Sequence, residues 1–243
     1  NGYDIFDYTA VDPIFGDMTD FEEMIKVGQQ HGIDFMLDMV LNHCSIEHEW
    51  FQKALAGDSY YQDFFILRDE PTDWLSKFGG SAWAPFGDTG KYYLHLYDVT
   101  QADLNWRNPN VRQELFKVVN FWRDKGVKGF RFDVINVIGK DEILTDCPEQ
   151  EGKPAYTDKP IVHDYLRMMN EATFGQDDSV MTVGEMSATT IENCILYTAP
   201  DRQELSMSFN FHHLKVDYEA GQKWTLKAFD FEELKRLFHT WGK

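Results

Sequence analysis

Apolar residues recur along the chain in two alternating rhythms. Over residues 19–31, Phe21, Met24, Ile25 and Gly28 fall on one helical face, with Thr19 or Asp20 placed to cap the start and Gly32 to end it. Residues 33–40 are almost continuously apolar, the pattern of a strand buried on both faces in a parallel sheet. The alternation then repeats. Residues 109–125 predict a helix with Pro109 in its first turn, an apolar stripe of Val111, Leu115, Val118, Val119 and Trp122, and Gly126 as its stop. Residues 127–134 predict a strand. A helix is predicted over 160–174, with Ile161, Tyr165, Leu166 and Met169 inward, and a strand over 179–184. A short helix over 189–198, a strand over 205–211 and a last helix over 231–241 complete the series. The last carries Phe231, Leu234, Leu237, Phe238 and Trp241 on one side.

Strand and helix in turn predict an α/β fold with a parallel sheet covered by helices. Four such units make half of an eightfold barrel, and a doubly wound sheet would give the same pattern. The sequence has no GxGxxG and no GxxxxGKS, which weakens the nucleotide-binding versions. Residues 43–108 break the rhythm. They are rich in Gly, Asp and Trp and too long for a connection, so they predict an inserted subdomain beside the site. The expected division is 1–42 and 109–243 for the barrel, with 43–108 inserted between.

Composition narrows the function. Of 243 residues, 23 are Lys or Arg and 41 are Asp or Glu, a net charge of -18. Such a chain repels phosphate backbones, so nucleic acid is not an expected partner, although a few local cations suffice for a small phosphorylated ligand. Cys44, Cys147 and Cys194 are odd in number and widely spaced, which predicts no disulfide framework and fits a reducing compartment. No run reaches the roughly 18 apolar residues of a membrane span, so no membrane partner is expected. The chain opens on Asn1-Gly2-Tyr3-Asp4 without Met and closes on Trp241-Gly242-Lys243 directly after a helical pattern, so we expect an internal fragment.

Charged groups then gather where chemistry is expected. One strand ends in Asp38 and leads to Asn42-His43; the next carries Arg131 and Asp133; the third ends at Glu185. In parallel βα folds the C-terminal strand ends share one rim, and that rim holds the site. Asp133 and Glu185 make a carboxylate pair of the kind glycosidic cleavage needs: one attacks the anomeric carbon and the other protonates the departing oxygen. Arg131, two residues before Asp133, faces the same way and is placed to hold it ionised; a plain buried Arg131–Asp133 ion pair fits the same spacing. Asp38 reads as a brace for the arginine or a rim carboxylate. His43 reads as a donor to a sugar hydroxyl or a satisfied loop histidine. Tyr3 reads as a ring-stacking aromatic or as core. His212 and His213 lack a third ligand at convincing spacing, so no metal site is expected.

Four segments carry a resemblance. Asp38-Met39-Val40-Leu41-Asn42-His43, Gln101-Ala102-Asp103-Leu104-Asn105-Trp106, Gly129-Phe130-Arg131-Phe132-Asp133-Val134 and Val183-Gly184-Glu185-Met186 resemble the conserved regions of the alpha-amylase superfamily, glycoside hydrolase family 13. The resemblance covers essentially the whole chain. It implies about strands three to six of a (β/α)8 TIM barrel, with the insertion after strand three and the chain ending before strand seven. It also implies Asp133 as nucleophile, Glu185 as general acid/base, and Tyr3, Asp38, His43 and Arg131 around the cleaved glucosyl unit. Cys44 stands where the family usually has threonine.

Within the family the chain looks like the oligo-1,6-glucosidase branch. Lys77-Phe78-Gly79-Gly80-Ser81-Ala82-Trp83, Tyr92-Tyr93-Leu94-His95-Leu96 and Phe209-Asn210-Phe211-His212-His213-Leu214-Lys215 resemble its members that cleave α,α-trehalose 6-phosphate to glucose and glucose 6-phosphate. Lys215 and Lys223 are the cations this would assign to the phosphate. Val134 resembles enzymes that avoid α-1,4 bonds. The resemblance leaves open an unphosphorylated isomaltose-type α-glucoside as substrate, and a non-catalytic interaction domain as the remaining alternative. It implies no cofactor for this stretch and admits a structural Ca2+ in the complete protein. The family's third carboxylate, in an Asn-His-Asp type segment, is absent from these residues, so the 243 residues alone are expected to be inactive. Substrate class and cysteine usage predict a cytoplasmic location.

Overall fold

The computed structural model describes residues 2–148, 152–219 and 222–242, and for 222–224 the backbone alone. Helix α1 (Met18–Gln30) is followed by strand β1 (Met36–Met39). The long stretch after it forms β2 (His43–Ser45), α2 (Glu49–Leu55), α3 (Ser59–Gln62), β3 (Leu67–Arg68), β4 (Trp83–Pro85), β5 (Tyr92–Leu94) and β6 (Gln101–Asp103). Then come α4 (Pro109–Asp124), β7 (Gly129–Phe132), α5 (Pro160–Ala172), β8 (Met181–Glu185), α6 (Ile191–Thr198), β9 (Met207–Phe209), β10 (Tyr218–Glu219), β11 (Gln222–Leu226) and α7 (Phe231–Trp241).

Strands β1, β7, β8 and β9 pair in that order, all parallel, and α4, α5 and α6 make the successive crossovers. This is the expected partial (β/α)8 arrangement. Residues 43–108 add an antiparallel β2–β6 ladder and a three-stranded antiparallel sheet in the order β3-β5-β4. The hairpin β10–β11 has no counterpart in the sequence reading.

Local chemistry explains the boundaries. The cap of α1 is Asp17, not Thr19 or Asp20: its carboxylate accepts from the backbone N–H groups of Thr19 and Asp20, and the Asp20 carboxylate accepts from the Asp17 N–H. Two orphan donors are thereby satisfied beside the positive end of the helix. Met24, expected inward, is exposed, while Ile25 and Gly28 are buried. Asn108 caps α4 ahead of Pro109, and Gly126 follows at φ +95°, where a side chain would be strained. The first strand is shorter than its apolar run because the Ile33 N–H turns back to the Gly28 carbonyl.

Alternation along β7 sorts its side chains. Phe130 and Phe132 are fully buried in a core shared with Leu115 and Val119 of α4 and Val162, Leu166 and Met169 of α5. Each such side chain stabilises the fold by roughly 1.5–3 kcal/mol relative to exposure. Arg131 lies between the two phenylalanines in sequence and so faces the opposite side of the sheet. Gly184 precedes Glu185 in a tight setting: a Cβ there would come within 2.7 Å of the ends of the Leu205 and Met186 side chains, which would have to shift.

Candidate active site

Register brings the polar strand ends together. Asp38 on β1 is level with Arg131 on β7, and Arg131 is level with Val183 on β8, two residues before Glu185. The Asp133 N–H donates to the Met39 carbonyl at 3.0 Å, carrying the β1–β7 ladder one step past the strand end.

One guanidinium joins all three carboxylates. Arg131 Nη1 donates to Asp38 Oδ1 and Oδ2 at 2.6 and 2.8 Å and to Asp133 Oδ1 at 2.6 Å, while Nη2 donates to Glu185 Oε2. The Tyr3 hydroxyl donates to Asp38 Oδ2 at 3.2 Å. The rings of Tyr3 and Phe209 lie 5.8 and 5.6 Å from the guanidinium carbon, within cation–π range. Asp133 and Glu185 are buried, whereas Asp38 and Tyr3 are exposed enough for a ligand to reach. The cluster holds three acidic groups against one cation, and its two buried carboxylates lie within the span of a single guanidinium.

Burial raises the Asp133 pKa above the usual aspartate value, and its ion pair with Arg131 recovers only part of that cost. We therefore expect the acid limb of kcat/KM, which reports the free enzyme, to fall at a pH above that of an ordinary aspartate. Arg131→Gln in the complete enzyme should move this limb further up, because the opposing cation is gone. A pH–rate profile unchanged by that substitution would remove Asp133 from the ionisation that controls turnover.

His43 is buried, and burial holds its pKa below the ordinary histidine value, so it is neutral. Asn42 Nδ2 donates to its Nδ1 at 3.2 Å, leaving the ring proton on Nε2, which donates to the Tyr3 carbonyl at 3.2 Å. Behind it lies a buried network. Lys140 Nζ donates to Asn42 Oδ1 at 2.7 Å and pairs with Asp103 Oδ2 at 2.8 Å; Asn42 Nδ2 donates to the same Asp103 oxygen at 3.1 Å; and Asp103 Oδ1 accepts the Leu96 N–H at 2.9 Å. Sequence reading quoted Asn42 and Asp103 within motifs but gave no role to Lys140 or Phe209. The available signal was a charge, Lys140, closing the buried run 134–139, which is apolar but for Asn136.

Lys215 is exposed at the end of the short helical turn His212–Leu214, and its charge adds to the effect of burial in lowering the His212 pKa. The Lys223 side chain falls outside the described residues. His212 packs 4.8 Å from the Trp241 ring and His213 lies 6.1 Å from that of Phe238, both on α7. Among the described residues, no three His, Cys, Asp or Glu side chains are grouped to hold a metal, and no helix is long and apolar enough to cross a membrane.

The parallel βα sheet thus carries a buried carboxylate pair on a shared arginine at its C-terminal strand ends, the side of such sheets on which active sites sit. The chain belongs to the alpha-amylase family: the model of the alpha-amylase catalytic domain matches residues 1–243. It is 50% identical to the trehalose-6-phosphate hydrolase of Bacillus subtilis, over 99% of this chain and 44% of that protein. It is 42% identical to the oligo-1,6-glucosidase of Parageobacillus thermoglucosidasius, over 100% of this chain and 45% of that protein. The crystal structure of trehalose-6-phosphate hydrolase from Bacillus licheniformis superposes with a TM-score of 0.94 at 51% identity, covering 99% of this chain and 44% of that one. The chain thus spans less than half the length of these relatives.

Proposed function

We propose that this chain carries the nucleophile and the general acid/base of a retaining α-glucosidase that hydrolyses α,α-trehalose 6-phosphate to glucose and glucose 6-phosphate. The observation that supports the chemistry best is the buried pair of Asp133 and Glu185 at the ends of the adjacent parallel strands β7 and β8. In this reading the Asp133 carboxylate attacks the anomeric carbon and forms a covalent glucosyl ester while Glu185 gives its proton to the leaving oxygen. Glu185 then takes a proton from the water that releases glucose. Asp38 and Tyr3 border the glucosyl pocket. His43 helps shape it, with its Nε2–H on the Tyr3 carbonyl. The presence of Asp133, Glu185, Arg131 and Asp38 favours a catalytic reading over a non-catalytic interaction domain.

The higher identity to the phosphotrehalose-cleaving relative favours the phosphorylated substrate over an isomaltose-type glucoside. Lys215 is the proposed phosphate contact and Lys223 a second. An ionic sugar does not cross membranes unaided, so we place the enzyme in the cytoplasm. We also propose the subdomain division at 43–108, on the strength of its own antiparallel strands.

With the complete protein, glucose release should be much faster from trehalose 6-phosphate than from trehalose or isomaltose. Lys215→Ala should raise KM for the phosphorylated substrate alone by about tenfold, the loss of one charge-assisted contact of about 1.5 kcal/mol. Equal rates on all three sugars would discard the phosphate assignment and leave the glycosidase mechanism. The same panel run on the 243 residues alone should give no turnover, since the family's third carboxylate is not among them.

A further inference from the structure

Asn136 is a fully buried amide in an otherwise apolar run, Val134-Ile135-Asn136-Val137-Ile138. Burying an amide costs free energy unless all its groups are paired. Here they are. Its Oδ1 accepts the Ser187 N–H at 2.7 Å, and its Nδ2 donates to the Ser187 carbonyl at 2.8 Å and to Asp158 Oδ1 at 2.9 Å. Asp158 is held in turn. Its N–H donates to the Asn136 carbonyl at 3.0 Å, and its carboxylate accepts from Asn193 Nδ2 at 2.9 Å and the Tyr197 hydroxyl at 3.0 Å.

The position of this clamp matters. Asn136 lies three residues after Asp133, and Ser187 two residues after Glu185. The β7–β8 ladder pairs strand residues only as far as Phe132 with Gly184, so past that point no backbone pairing sets the spacing of the two segments. The Asn136 amide makes with Ser187 the same two-bond contact that an opposing strand residue would make. Short tethers then run from one bidentate joint to both carboxylates.

We propose that Asn136 is a positioning residue that sets Glu185 against Asp133 by clamping the backbone at Ser187. The proposal rests on Glu185 acting as the general acid. Asn136 touches no reacting atom and acts through the segment that follows β8. The Met186 N–H on the Phe209 carbonyl still holds the segment on its β9 side, so loss of the clamp lets it shift relative to Asp133, and displacements of about 1 Å at a reacting centre cost on the order of 10²-fold in rate.

The test uses the complete enzyme and two substrates. Trehalose 6-phosphate needs a proton delivered to its leaving oxygen, whereas α-D-glucosyl fluoride releases fluoride without one. In Asn136→Ala, kcat/KM on trehalose 6-phosphate should fall about 10²-fold, while on the fluoride it should fall less than tenfold. Equal losses on both substrates would make Asn136 a merely structural residue, and no loss on either would leave the clamp without consequence; both outcomes overturn the proposal. If the alanine variant does not fold, Asn136→Ser gives the same ratio, because its hydroxyl is uncharged and too short to bond both backbone groups of Ser187. Glu185→Gln serves as the reference. If it fails to separate the two substrates, the role of Glu185 is wrong, whatever Asn136 does.

Discussion

Asp133→Asn in the complete enzyme should lower kcat by on the order of 10⁴–10⁶-fold, the scale set by removal of a covalent nucleophile elsewhere. The amide has the size of the carboxylate and keeps the fold, but it cannot form the glucosyl ester. Asp133→Ala should then recover part of its activity when sodium azide is supplied, because the small anion fits the space vacated by the side chain and attacks in its place. The recovered product would be a glucosyl azide of inverted configuration. Residual turnover of Asp133→Asn within 100-fold of the parent would transfer the nucleophile's role to another group.

The same substitution has a second consequence of opposite sign. Folding raises the Asp133 pKa, chiefly through burial. The folded state therefore favours the protonated form. The stabilising contribution is complete below the unfolded pKa and is lost as pH rises through the folded one. At neutral pH the ionised Asp133 is a destabilising element, and Asp133→Asn should raise resistance to urea there while killing the reaction. A variant that is both dead and less stable at pH 7 would contradict this.

Lys140→Met should give the largest loss of stability, about 3–5 kcal/mol by urea denaturation, the usual cost of breaking a buried ion pair on one side. The Lys140 side chain is 4% exposed and that of Asp103 is completely covered. Without the ammonium, Asp103 keeps, among the described residues, the Asn42 amide and the Leu96 N–H, and Asn42 Oδ1 loses its Lys140 donor. His43 should feel this through Asn42, with a rise in KM as its ring loses its fixed orientation. Adding Asp103→Leu to Lys140→Met removes the stranded charge and should restore part of the stability. A single-variant loss under about 1 kcal/mol would mean that water reaches this site and solvates Asp103.

The βα alternation was legible because burial on two faces leaves strands such as 33–40 nearly continuous in apolar residues. In 127–134, Arg131 and Asp133 stood out because they alternate with the apolar Phe130 and Phe132. Asp38 and Glu185 were legible as strand-end acids, since a parallel sheet carries all such ends to one rim. What pattern could not reveal were partnerships across long separations. Lys140 joins Asn42 across 98 residues and Asn136 joins Ser187 across 51. Asn136 is a single polar residue in an apolar run and Lys140 is the charge that closes it; the partner of each is supplied only by the fold. Capping at Asp17 was misplaced to Thr19 or Asp20 because all three are competent capping side chains and geometry alone selects among them. The β10–β11 hairpin was missed because its strands are short and polar.

The β1–β7 pairing joins Asp38 to Arg131 across 93 residues. During synthesis at about 5–20 residues per second, the acid waits roughly 5–20 s for its cation. Throughout that wait the side of β1 that meets β7 is unpaired. The antiparallel β2–β6 ladder joins Ser45 to Gln101 and can close earlier, which draws most of the intervening chain into a folded unit and leaves a far shorter flexible loop between Asp38 and Arg131. In kinetic terms the inserted segment is a spacer that shortens itself: it lowers the entropic cost of bringing the strands together and limits how long a nascent edge stands open to aggregation.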